Sequence, residues 1–469
     1  MDAPLLLRRL TGDGGRRQTI SYWLFLRSLG LVALIAFSSY WWQLPGLIGS
    51  RGLLPTDYSD AFLHSVCAGG VLASALLVAN VLPRVACFAI WLLYLTLSDA
   101  DPVFLSFQWD ALLMEAAFFA ILVGPGRGFL MRWLLFKLML SSGLCKLSSG
   151  DLTWRDLTAL TYHFETQPLP TWIGWYAHQL PQALLRASAF AMFVVELPAT
   201  LLILVPWRWA RWTALALTAG LQLFIALTGN YGFFNLLTLA LCFFLLDDDD
   251  WRRVVPAGLL AHVEKRVARL PTESSRAALR AAAGGTVFAV ALGAVCIGSV
   301  AIRSSLPTAL LIPLYELAPF RVVNRYGLFA NMTTERNEIT IEGSNDARTW
   351  VAYDLSWKPG PLGRAPGFVA PYQPRLDWQL WFAALADPQY SPWVRNLVTR
   401  LLEGEPDVLK LIGTNPFPKR PPRLIRARIS RYSFTDAATR ARTGNWWVSG
   451  EPRPFLPATS RDGSRPAGY

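Results

Sequence analysis

Long apolar runs alternate with short polar connections over the first two-thirds of the chain. A helix needs about 20 apolar residues to cross the hydrocarbon core of a bilayer. By this criterion the sequence predicts about nine membrane-spanning helices. They lie at about residues 21–42, 61–82, 84–99, 103–123, 129–147, 186–206, 209–228, 231–247 and 283–303. Residues 21–303 are therefore expected to form a polytopic α-helical membrane bundle.

A different pattern follows and predicts an α+β, largely β, extracytoplasmic domain over residues 304–456. In the stretch EITIEGSNDARTWVAYDLSW, Ile339 and Ile341 alternate with polar neighbours before a polar turn, which predicts a β-hairpin. The stretch RLIRARISRYSF alternates in the same way, and NWWV is the predicted last strand. Ser391, placed before a proline, is the predicted cap of a helix that runs to about residue 404.

Charge is scarce in the apolar part and predicts the orientation of the chain. Only 16% of residues are charged, against about a quarter in soluble domains. The cytoplasmic N-terminal segment 1–20 carries four arginines, and no convincing cleavage site follows, so the first span is expected to remain uncleaved. Positive side chains concentrate in alternate connections, above all in the predicted cytoplasmic loop 248–282. Nine crossings then deliver the C-terminal domain to the opposite side, where the tail 457–469 is expected to be disordered.

Several function classes are excluded by this composition. The formal net charge of +12 comes from the orienting loops and the C-terminal domain, so the expected environment is a lipid bilayer, and no nucleic acid partner is predicted. The five cysteines lie inside or at the edge of apolar runs, and the chain has no HExxH, CxxC, GxSxG or Walker A pattern. Neither a metal nor a cofactor is predicted.

The connection at 148–185 is too long for a simple turn and is rich in aromatic residues, including Trp154, Trp172 and Trp175. Amphipathic aromatic side chains favour the headgroup layer of a bilayer. One or two interfacial helices are therefore predicted to cover the outer mouth of the bundle.

Ionisable side chains inside the predicted spans are candidates for function, because a charge in hydrocarbon is costly. Glu115 and Lys137 each lie about eight residues from the turn near residue 124, so they are expected at one depth on antiparallel helices. Gln108 shares a helix face with Glu115, and Glu196 is a third intramembrane carboxylate. The predicted pair of Glu115 and Lys137 is open to two interpretations, an ion pair that fixes helix packing or part of a catalytic or conducting path.

A second set of polar residues lies near the predicted outer surface. Asp110 sits one or two turns below that surface and Lys146 ends the fifth span at a similar level, so the two are expected within reach of each other. Snorkelling to the headgroups explains Lys146 equally well. His163 lies in the amphipathic segment, where a satisfied surface histidine is the simpler interpretation. Lys146, Asp110 and His163 together form the candidate catalytic set, should the protein be an enzyme.

Several long stretches of the chain resemble the lipase maturation factor family. They include YWLFLRSLGLVALIAFSSYWWQLPGLIG, FLSFQWDALLMEAAFFAI, FKLMLSSGLCKLSSGDLTWRDLTALTYHFETQPLPTW, NRYGLFANMTTERNEITIEGSNDARTW and NPFPKRPPRLIRARISRYSF. The resemblance covers about residues 20–450. It implies a membrane protein of the endoplasmic reticulum in animals that helps secreted lipases reach their active state, with the outer domain binding the client.

The stretch SSGLCKLSSGDLTW is also similar, more weakly, to the transmembrane module of the vitamin K-dependent gamma-carboxylase, in which a lysine acts as a base. Lys146 stands at the position of that lysine. This similarity implies an alternative function, a membrane-embedded enzyme that acts on a lipid or quinone-like substrate. A transporter is a third class, and it requires Glu115, Lys137 and Glu196 to line one aqueous path.

The leading hypothesis is a membrane-anchored, chaperone-like maturation factor for secreted lipases or other exported clients, rather than an enzyme. Large aromatic and basic side chains contribute most of the energy of an interface when a partner buries them. The candidate client-binding residues are Trp350, Trp357, Trp378, Trp381, Arg426, Arg428, Trp446 and Trp447. For each tryptophan, a place in the domain core is the competing interpretation. The expected location is the plasma (inner) membrane if the chain is bacterial, as its Ala- and Arg-rich composition without an ER-retrieval ending indicates, and the endoplasmic reticulum membrane if it is eukaryotic.

Overall fold

The computed structural model describes residues 18–124, 128–267, 276–301 and 307–461. Helices make up the first two-thirds of this part of the chain, and an antiparallel sheet lies in the last third. The helices before the sheet are α1 (Thr19–Leu47), α2 (Asp60–Ala79), α3 (Pro83–Ala100), α4 (Gln108–Leu122), α5 (Phe129–Ser148), α6 (Leu152–Arg155), α7 (Leu160–Thr166), α8 (Trp172–His178), α9 (Gln182–Glu196), α10 (Arg208–Thr228), α11 (Phe234–Cys242), α12 (Asp248–Val254), α13 (Ala257–Val267), α14 (Arg276–Ala301) and α15 (Thr308–Leu317).

Each predicted span coincides with a helix, which confirms a helical, membrane-spanning N-terminal region. Five of the described helices are long and apolar enough to cross a bilayer: Thr19–Leu47, Asp60–Ala79, Gln182–Ile203, Arg208–Thr228 and Ala282–Ala301. Among the others, α4 and α11 are shorter, and α5 carries the buried charges of Arg132, Lys137 and Lys146. The count of nine crossings therefore stays a prediction. The N-terminal segment lies outside the described residues up to residue 17.

Local signals explain where some of these helices begin and end. The Ser59 hydroxyl accepts a hydrogen bond from the Phe62 N–H and caps the start of α2. The same helix ends at Asn80 in the left-handed conformation, which asparagine tolerates better than most residues. In the aromatic connection 148–185, three short helices, α6 to α8, stand where one or two were predicted. Its side chains divide: Trp154 and Trp175 are buried, whereas Trp172 is exposed.

Residues 308–332, here called the re-entrant segment, pack against the bundle: α15 is mostly exposed on its surface, whereas Val322, Val323, Asn324 and Tyr326 are buried within it. After α15, the Phe320 carbonyl accepts a hydrogen bond from Trp91 Nε1 at 3.0 Å, level with the middle of α3. The Asn324 N–H donates to Glu115 Oε2 at 2.9 Å, in the middle of α4. Met332 reaches the connection after α5, where its N–H donates to Asp151 at 2.6 Å.

The predicted domain boundary at residue 304 stays a prediction, and the sheet begins at residue 336. Irregular backbone inside a membrane bundle is stable only where protein groups satisfy its hydrogen bonds. Polar side chains of the spans, Glu115 among them, supply those bonds here. α15 itself is apolar but mostly exposed, with Leu314 buried and Leu310, Ile312 and Tyr315 on the surface.

The C-terminal domain is an antiparallel sheet packed on helices. The strands are β1 (Arg336–Ser344), β2 (Val351–Tyr353), β3 (Leu424–Phe434), β4 (Trp447–Ser449) and β5 (Arg453–Ser460), and the helices are α16 (Arg375–Ala383), α17 (Trp393–Glu403), α18 (Pro406–Leu409) and α19 (Ala437–Thr443). The strand order is β2-β1-β3-β4, with β5 also paired to β3. Ile339 lies opposite Ile429, and Ile341 opposite Ala427. Ile339, Ile341 and Ala427 join the buried core with residues of α16 and α17.

The predicted hairpin, the strand in RLIRARISRYSF and the helix after Ser391 are confirmed. Ser391 is not the cap, however: α17 starts at Trp393, and no side chain caps it. NWWV forms β4, but it is not the last strand. The expected disordered tail continues β5 to residue 460, while residues 462–469 lie outside the described part. Two prolines hide β5 from the sequence pattern, although an edge strand tolerates them.

The domain docks on one end of the bundle, and a single hydrophobic core runs through both. Four hydrogen bonds illustrate the contact: Asn396 Nδ2 to the Leu53 carbonyl at 2.9 Å, Gln379 Nε2 to the Val103 carbonyl at 2.6 Å, Arg336 to the Pro168 carbonyl at 2.8 Å, and the Val369 N–H to Asn230 Oδ1 at 2.8 Å. The four connections contacted in this way all belong to the outer side in the predicted arrangement.

Candidate functional site

A cavity of about 420 Å³ lies on the flank of the bundle, between α5, α7, α9 and α10. Leu328 and Phe329 of the re-entrant segment contribute to its wall. Most of the lining is apolar, and the charged or titratable exceptions include Lys146, Glu196 and His163. A few convergent polar groups in an otherwise apolar cavity of this size are typical of small-molecule sites, which measure about 300–1,000 Å³.

Lys146 and Glu196 form a buried ion pair in this cavity. Lys146 Nζ donates to the two Glu196 oxygens at 2.9 and 2.8 Å and to the Ser142 carbonyl at 3.1 Å. Glu196 is the last residue of α9, because Pro198 cannot continue the helix and a 3₁₀ turn follows. At Gly143 the helices approach closely, since an added Cβ there would lie 2.7 Å from the Leu197 side chain. The predicted contact between Lys146 and Asp110 of α4 is wrong, because the Lys146 ammonium group donates to Glu196 instead.

His163 lines the same cavity from α7. Its Nε2 lies 3.3 Å from the Tyr231 hydroxyl, which donates to Gln167 Oε1 at 2.7 Å. Burial lowers the pKa of His163 to about 4, and the positive charge of Lys146 acts in the same direction, so the imidazole is neutral at pH 7. Its Nδ1 has no hydrogen-bond partner within the described ranges. His163 is therefore not the satisfied surface histidine of the simpler interpretation.

Asp110 lies at the interface with the C-terminal domain and not in the cavity. The guanidinium of Arg375, the first residue of α16, donates to both Asp110 oxygens at 2.8 Å and to the Phe104 carbonyl at 2.6 Å. The Tyr94 hydroxyl donates to the same carboxylate at 2.5 Å. The three residues that make this ion pair and its tyrosine contact are fully buried. The predicted catalytic set is thus divided: Lys146 and His163 line the cavity, whereas Asp110 pairs with Arg375, 265 positions along the chain.

The predicted pair of Glu115 and Lys137 is present, with Lys137 Nζ donating to Glu115 Oε1. The re-entrant segment surrounds it. Glu115 Oε2 accepts from the Asn324 N–H at 2.9 Å and from the Tyr326 hydroxyl at 2.8 Å, and Lys137 donates to the Asn324 carbonyl at 3.1 Å. The Gly327 N–H, in the same segment, donates to Gln108 Oε1 at 2.9 Å. The geometry supports the packing interpretation of the pair.

The transporter interpretation requires one aqueous path past three charges, and the structure separates them. Glu115 and Lys137 are fully buried among the re-entrant residues, whereas Glu196 lines the flank cavity. No lining residue of that cavity belongs to the first pair. The path that the transporter alternative requires is therefore not found among the described residues.

Three of the predicted client-binding tryptophans are buried, which corrects their assignment. Trp378 packs against Trp109 with ring centroids 4.8 Å apart, and Trp447 against Phe434 at 4.5 Å. Trp381 donates its indole N–H to a carbonyl of α7 at 2.8 Å. Trp378 and Trp381 lie on the helix that faces the bundle, so they hold the two parts together and cannot contact a client in this arrangement.

Trp350 and Trp357 lie nearer the surface. Trp357 is 41% exposed. Trp350 is half-buried, because the Arg426 guanidinium stacks on its ring with its central carbon 4.0 Å from the ring centroid. Arg426 also donates to Glu342 at 2.7 Å, so its charge is already engaged within the sheet.

Trp446 and Arg428 are also partly exposed, and each has an internal partner. Arg440 stacks over the Trp446 ring, with its central carbon 3.6 Å from the centroid, and over Trp175 at 4.8 Å. Arg428 donates to the Pro452 carbonyl at 2.6 Å. These contacts stiffen the surface, and they leave Trp357 as the most accessible of the predicted set.

Comparisons with known proteins identify the family of this chain. Residues 56–253 match the family model of the lipase maturation factor transmembrane domain, and residues 322–457 match that of the lipase maturation factor C-terminal domain. The chain belongs to the lipase maturation factor family. Members of that family with similar sequences include lipase maturation factor 2 of Gallus gallus (33% identical, over 93% of this chain and 81% of the relative), lipase maturation factor 2 of Homo sapiens (31%, over 93% and 82%) and lipase maturation factor 1 of Bos taurus (30%, over 98% and 93%). No solved structure matches significantly.

The C-terminal region of the lipase maturation factor family thus begins, in this chain, inside the re-entrant segment. The sequence did not identify the buried arginines that fix this region to the bundle. Arg336 of β1 pairs with Glu338 and donates to carbonyls of residues 165, 167 and 168, and Arg375 holds Asp110. A buried carboxylate signals that a cation must be near. Asp110 gave that signal in the sequence, but a buried carboxylate alone does not identify which cationic side chain pairs with it.

Proposed function

We propose that this chain is a membrane-anchored maturation factor that holds exported lipases, or other exported proteins, on its C-terminal domain. The observation that carries the proposal is the fixed docking of this domain on the bundle. Arg375 and Arg336 are buried in the contact, and each reaches charged or carbonyl partners on the bundle side. A domain held in this way presents one invariant surface beside the membrane, which suits the positioning of a folding client.

The names of the relatives support the choice of client. Both matched groups of relatives are called lipase maturation factors, and the similarity extends over more than nine-tenths of this chain. We carry this activity to the present chain as part of the proposal. A chaperone-like mechanism, with no covalent change to the client, is the simplest that the geometry supports.

The proposal includes an orientation. With nine crossings and a cytoplasmic N-terminus, positive residues concentrate in the inner connections. The C-terminal domain contacts outer connections together with residues of α1, α3 and α4, such as Tyr40, Tyr94 and Asp110, which supports a place for it in the compartment where exported proteins fold. That compartment is the periplasm if the membrane is a bacterial inner membrane, and the lumen if it is that of the endoplasmic reticulum.

Trp357 marks the client surface that we favour. It lines, together with Trp42 of α1, a cleft of about 440 Å³ between the bundle and the C-terminal domain. Trp42 is 68% exposed and lies near the end of α1 on which the domain docks. Exposed aromatic side chains beside a cleft are favourable anchors for a protein partner.

Site-specific photocrosslinking tests the proposal. A benzoylphenylalanine in place of Trp357 is expected to crosslink a co-expressed secreted lipase, whereas the same probe in place of Tyr390, an exposed residue of the same domain, is not. Deletion of the chain is expected to lower the specific activity of that lipase. The absence of a lipase-specific product, together with unchanged lipase activity on deletion, would refute the proposal.

A membrane enzyme is the second candidate, because Lys146 and His163 line one cavity. Such an enzyme would act on a lipid or quinone-like substrate without Asp110, which is engaged at the domain interface. Lys146→Ala would then abolish turnover of the substrate while the C-terminal domain stays docked. A variant that keeps full turnover would exclude Lys146 as a base.

A further inference from the structure

The flank cavity opens on the side of the bundle that faces lipid. Its lining includes residues exposed on the bundle surface, namely Ala191 of α9 and Ala216, Leu217 and Gly220 of α10. An added Cβ at Gly220 would have no atom within 4 Å, so this glycine borders open space. Both helices are among those long and apolar enough to span a bilayer, α9 with the 3₁₀ turn that follows it. Such an opening gives access from the hydrocarbon, between two membrane helices.

In the cavity, the positive charge of Lys146 is balanced by Glu196, and the hydrogen-bond donors of Lys146 all have acceptors. Lys146 directs Nζ to three acceptors, the two oxygens of Glu196 and the Ser142 carbonyl. An ammonium group has three donors, so Lys146 has none to spare. Each Glu196 oxygen accepts one bond from the lysine, and a carboxylate oxygen can accept a second.

The histidine adds another acceptor. The Tyr231 hydroxyl uses its hydrogen on Gln167, so its oxygen accepts from the Nε2–H of His163. This tautomer leaves Nδ1 as the acceptor, the atom that has no partner in the described residues. Glu196 and His163 thus both offer free acceptors, beside the hydroxyl of Ser188 and the amide of Gln222 in the same lining. An anionic headgroup would meet acceptors and no free cation.

We propose that this cavity binds one chain of a neutral, hydroxyl-bearing lipid of the acylglycerol class, which enters from the bilayer between α9 and α10. The apolar lining takes the alkyl chain, and the hydroxyl donates to Glu196 or His163. The volume suits one chain and excludes a complete two-chain phospholipid. This inference goes beyond client handling and does not depend on it, since no lipase is needed for the lipid to bind.

Photolabelling of the full chain tests the site. The protein is placed in nanodiscs of phosphatidylcholine with a diazirine-bearing monoacylglycerol, and labelled peptides are identified by mass spectrometry. Labelling of α5, α9 and α10 is expected in the wild type. Gly220→Phe fills the mouth and is expected to reduce it at least tenfold. Leu223→Phe, on the exposed face of α10 but outside the lining, is the matched control and should leave labelling unchanged.

Competition distinguishes the ligand class. Unlabelled monoolein is expected to displace the probe, oleate at pH 7.4 at least tenfold less well, and added phosphatidylcholine not at all. Glu196→Gln leaves the Lys146 cation unbalanced and is expected to reverse the preference towards oleate. Labelling that survives Gly220→Phe, equal displacement by phosphatidylcholine, or preference of the wild type for oleate would each overturn the proposal. Unchanged thermal midpoints of Gly220→Phe and Leu223→Phe show that both variants fold.

Discussion

The interface with the C-terminal domain and the flank cavity each bury an ion pair, in opposite surroundings. At the interface, the guanidinium of Arg375 meets Asp110, the Phe104 carbonyl and the rings of Tyr40 and Phe107. In the cavity, the pair of Lys146 and Glu196 borders about 420 Å³ of open space. The chemistry of the two pairs is similar, so the difference lies in packing.

This difference separates structural charges from candidates for ligand binding. A pair that is packed on all sides can only hold elements together, and the Glu115–Lys137 pair, enclosed by the re-entrant segment, belongs with Arg375 and Asp110. A pair beside a void can also meet an incoming molecule. A buried charge in a membrane protein is therefore better judged by the space beside it than by its burial alone.

Loss of the interface arginine is expected to have the largest effect. Arg375→Met leaves the Asp110 carboxylate buried without a cation, which costs about 3–5 kcal/mol and undocks the C-terminal domain. The measurement is thermal unfolding in detergent together with limited proteolysis of the domain. Arg395→Met, an exposed change in the same domain, is the control and should stay within about 0.5 kcal/mol of the wild type.

A double variant checks that explanation. Asp110→Leu combined with Arg375→Met removes both charges and is expected to regain most of the lost stability. A double variant as unstable as the sum of the two single changes would show that the residues act independently and not as a pair.

The packed pair inside the bundle is expected to come next. Glu115→Gln leaves Lys137 without its counter-ion, costs about 3 kcal/mol and loosens the re-entrant segment. Gly327 of that segment covers the Cys145 thiol, so alkylation of Cys145 is expected to accelerate. Cys67, buried against other helices, is the internal control. Equal acceleration at both cysteines would mean general unfolding instead of local release.

The two regions are also expected to respond to pH with opposite sign. Burial raises the pKa of Asp377, on α16, to about 6, so its contribution to stability is present below about pH 4 and is lost as the pH rises to 6. Burial lowers the pKa of His163, at the cavity, to about 4, so its contribution is present above about pH 6.5 and is lost as the pH falls to 4. Each shift corresponds to about 3 kcal/mol.

Thermal midpoints of Asp377→Asn and His163→Gln between pH 4 and 7 measure this. Relative to the wild type, Asp377→Asn should gain stability as the pH rises, and His163→Gln should gain it as the pH falls. Two differences with the same sign would contradict the assignment of the desolvated groups.

The smallest effect is expected at the cavity pair. Lys146→Met leaves the Glu196 carboxylate without a cation, as Arg375→Met does for Asp110. At the cavity, however, the open space admits water to the remaining carboxylate. We therefore expect a cost of about 1–2 kcal/mol, measured by the same thermal unfolding. A cost equal to that of Arg375→Met would remove the distinction between the packed and the open pair.

Local pattern predicted much of the fold and one of the three buried pairs compared above. Hydrophobic run lengths located the helices, and alternation located β1 and β3. Glu115 and Lys137 were paired correctly because a short turn joins their helices, and equal distances from a turn place two residues at one depth. Asp110 and Lys146 lie on the same two helices, farther from that turn, and were paired wrongly, because each is bound by a partner from a third element, Arg375 of α16 and Glu196 of α9.

The sequence by itself determined the helical spans, the hairpin, the membrane class and the family, because these depend on periodicity and on motifs within short stretches. Only the tertiary structure decided the course of the re-entrant segment, the burial of Arg375 and the existence of the flank cavity. These depend on contacts between residues up to several hundred positions apart, and such contacts exist only after whole elements have packed. The sequence does not distinguish an arginine that will be buried from one that will stay in water, because only the packing of the folded chain decides its burial.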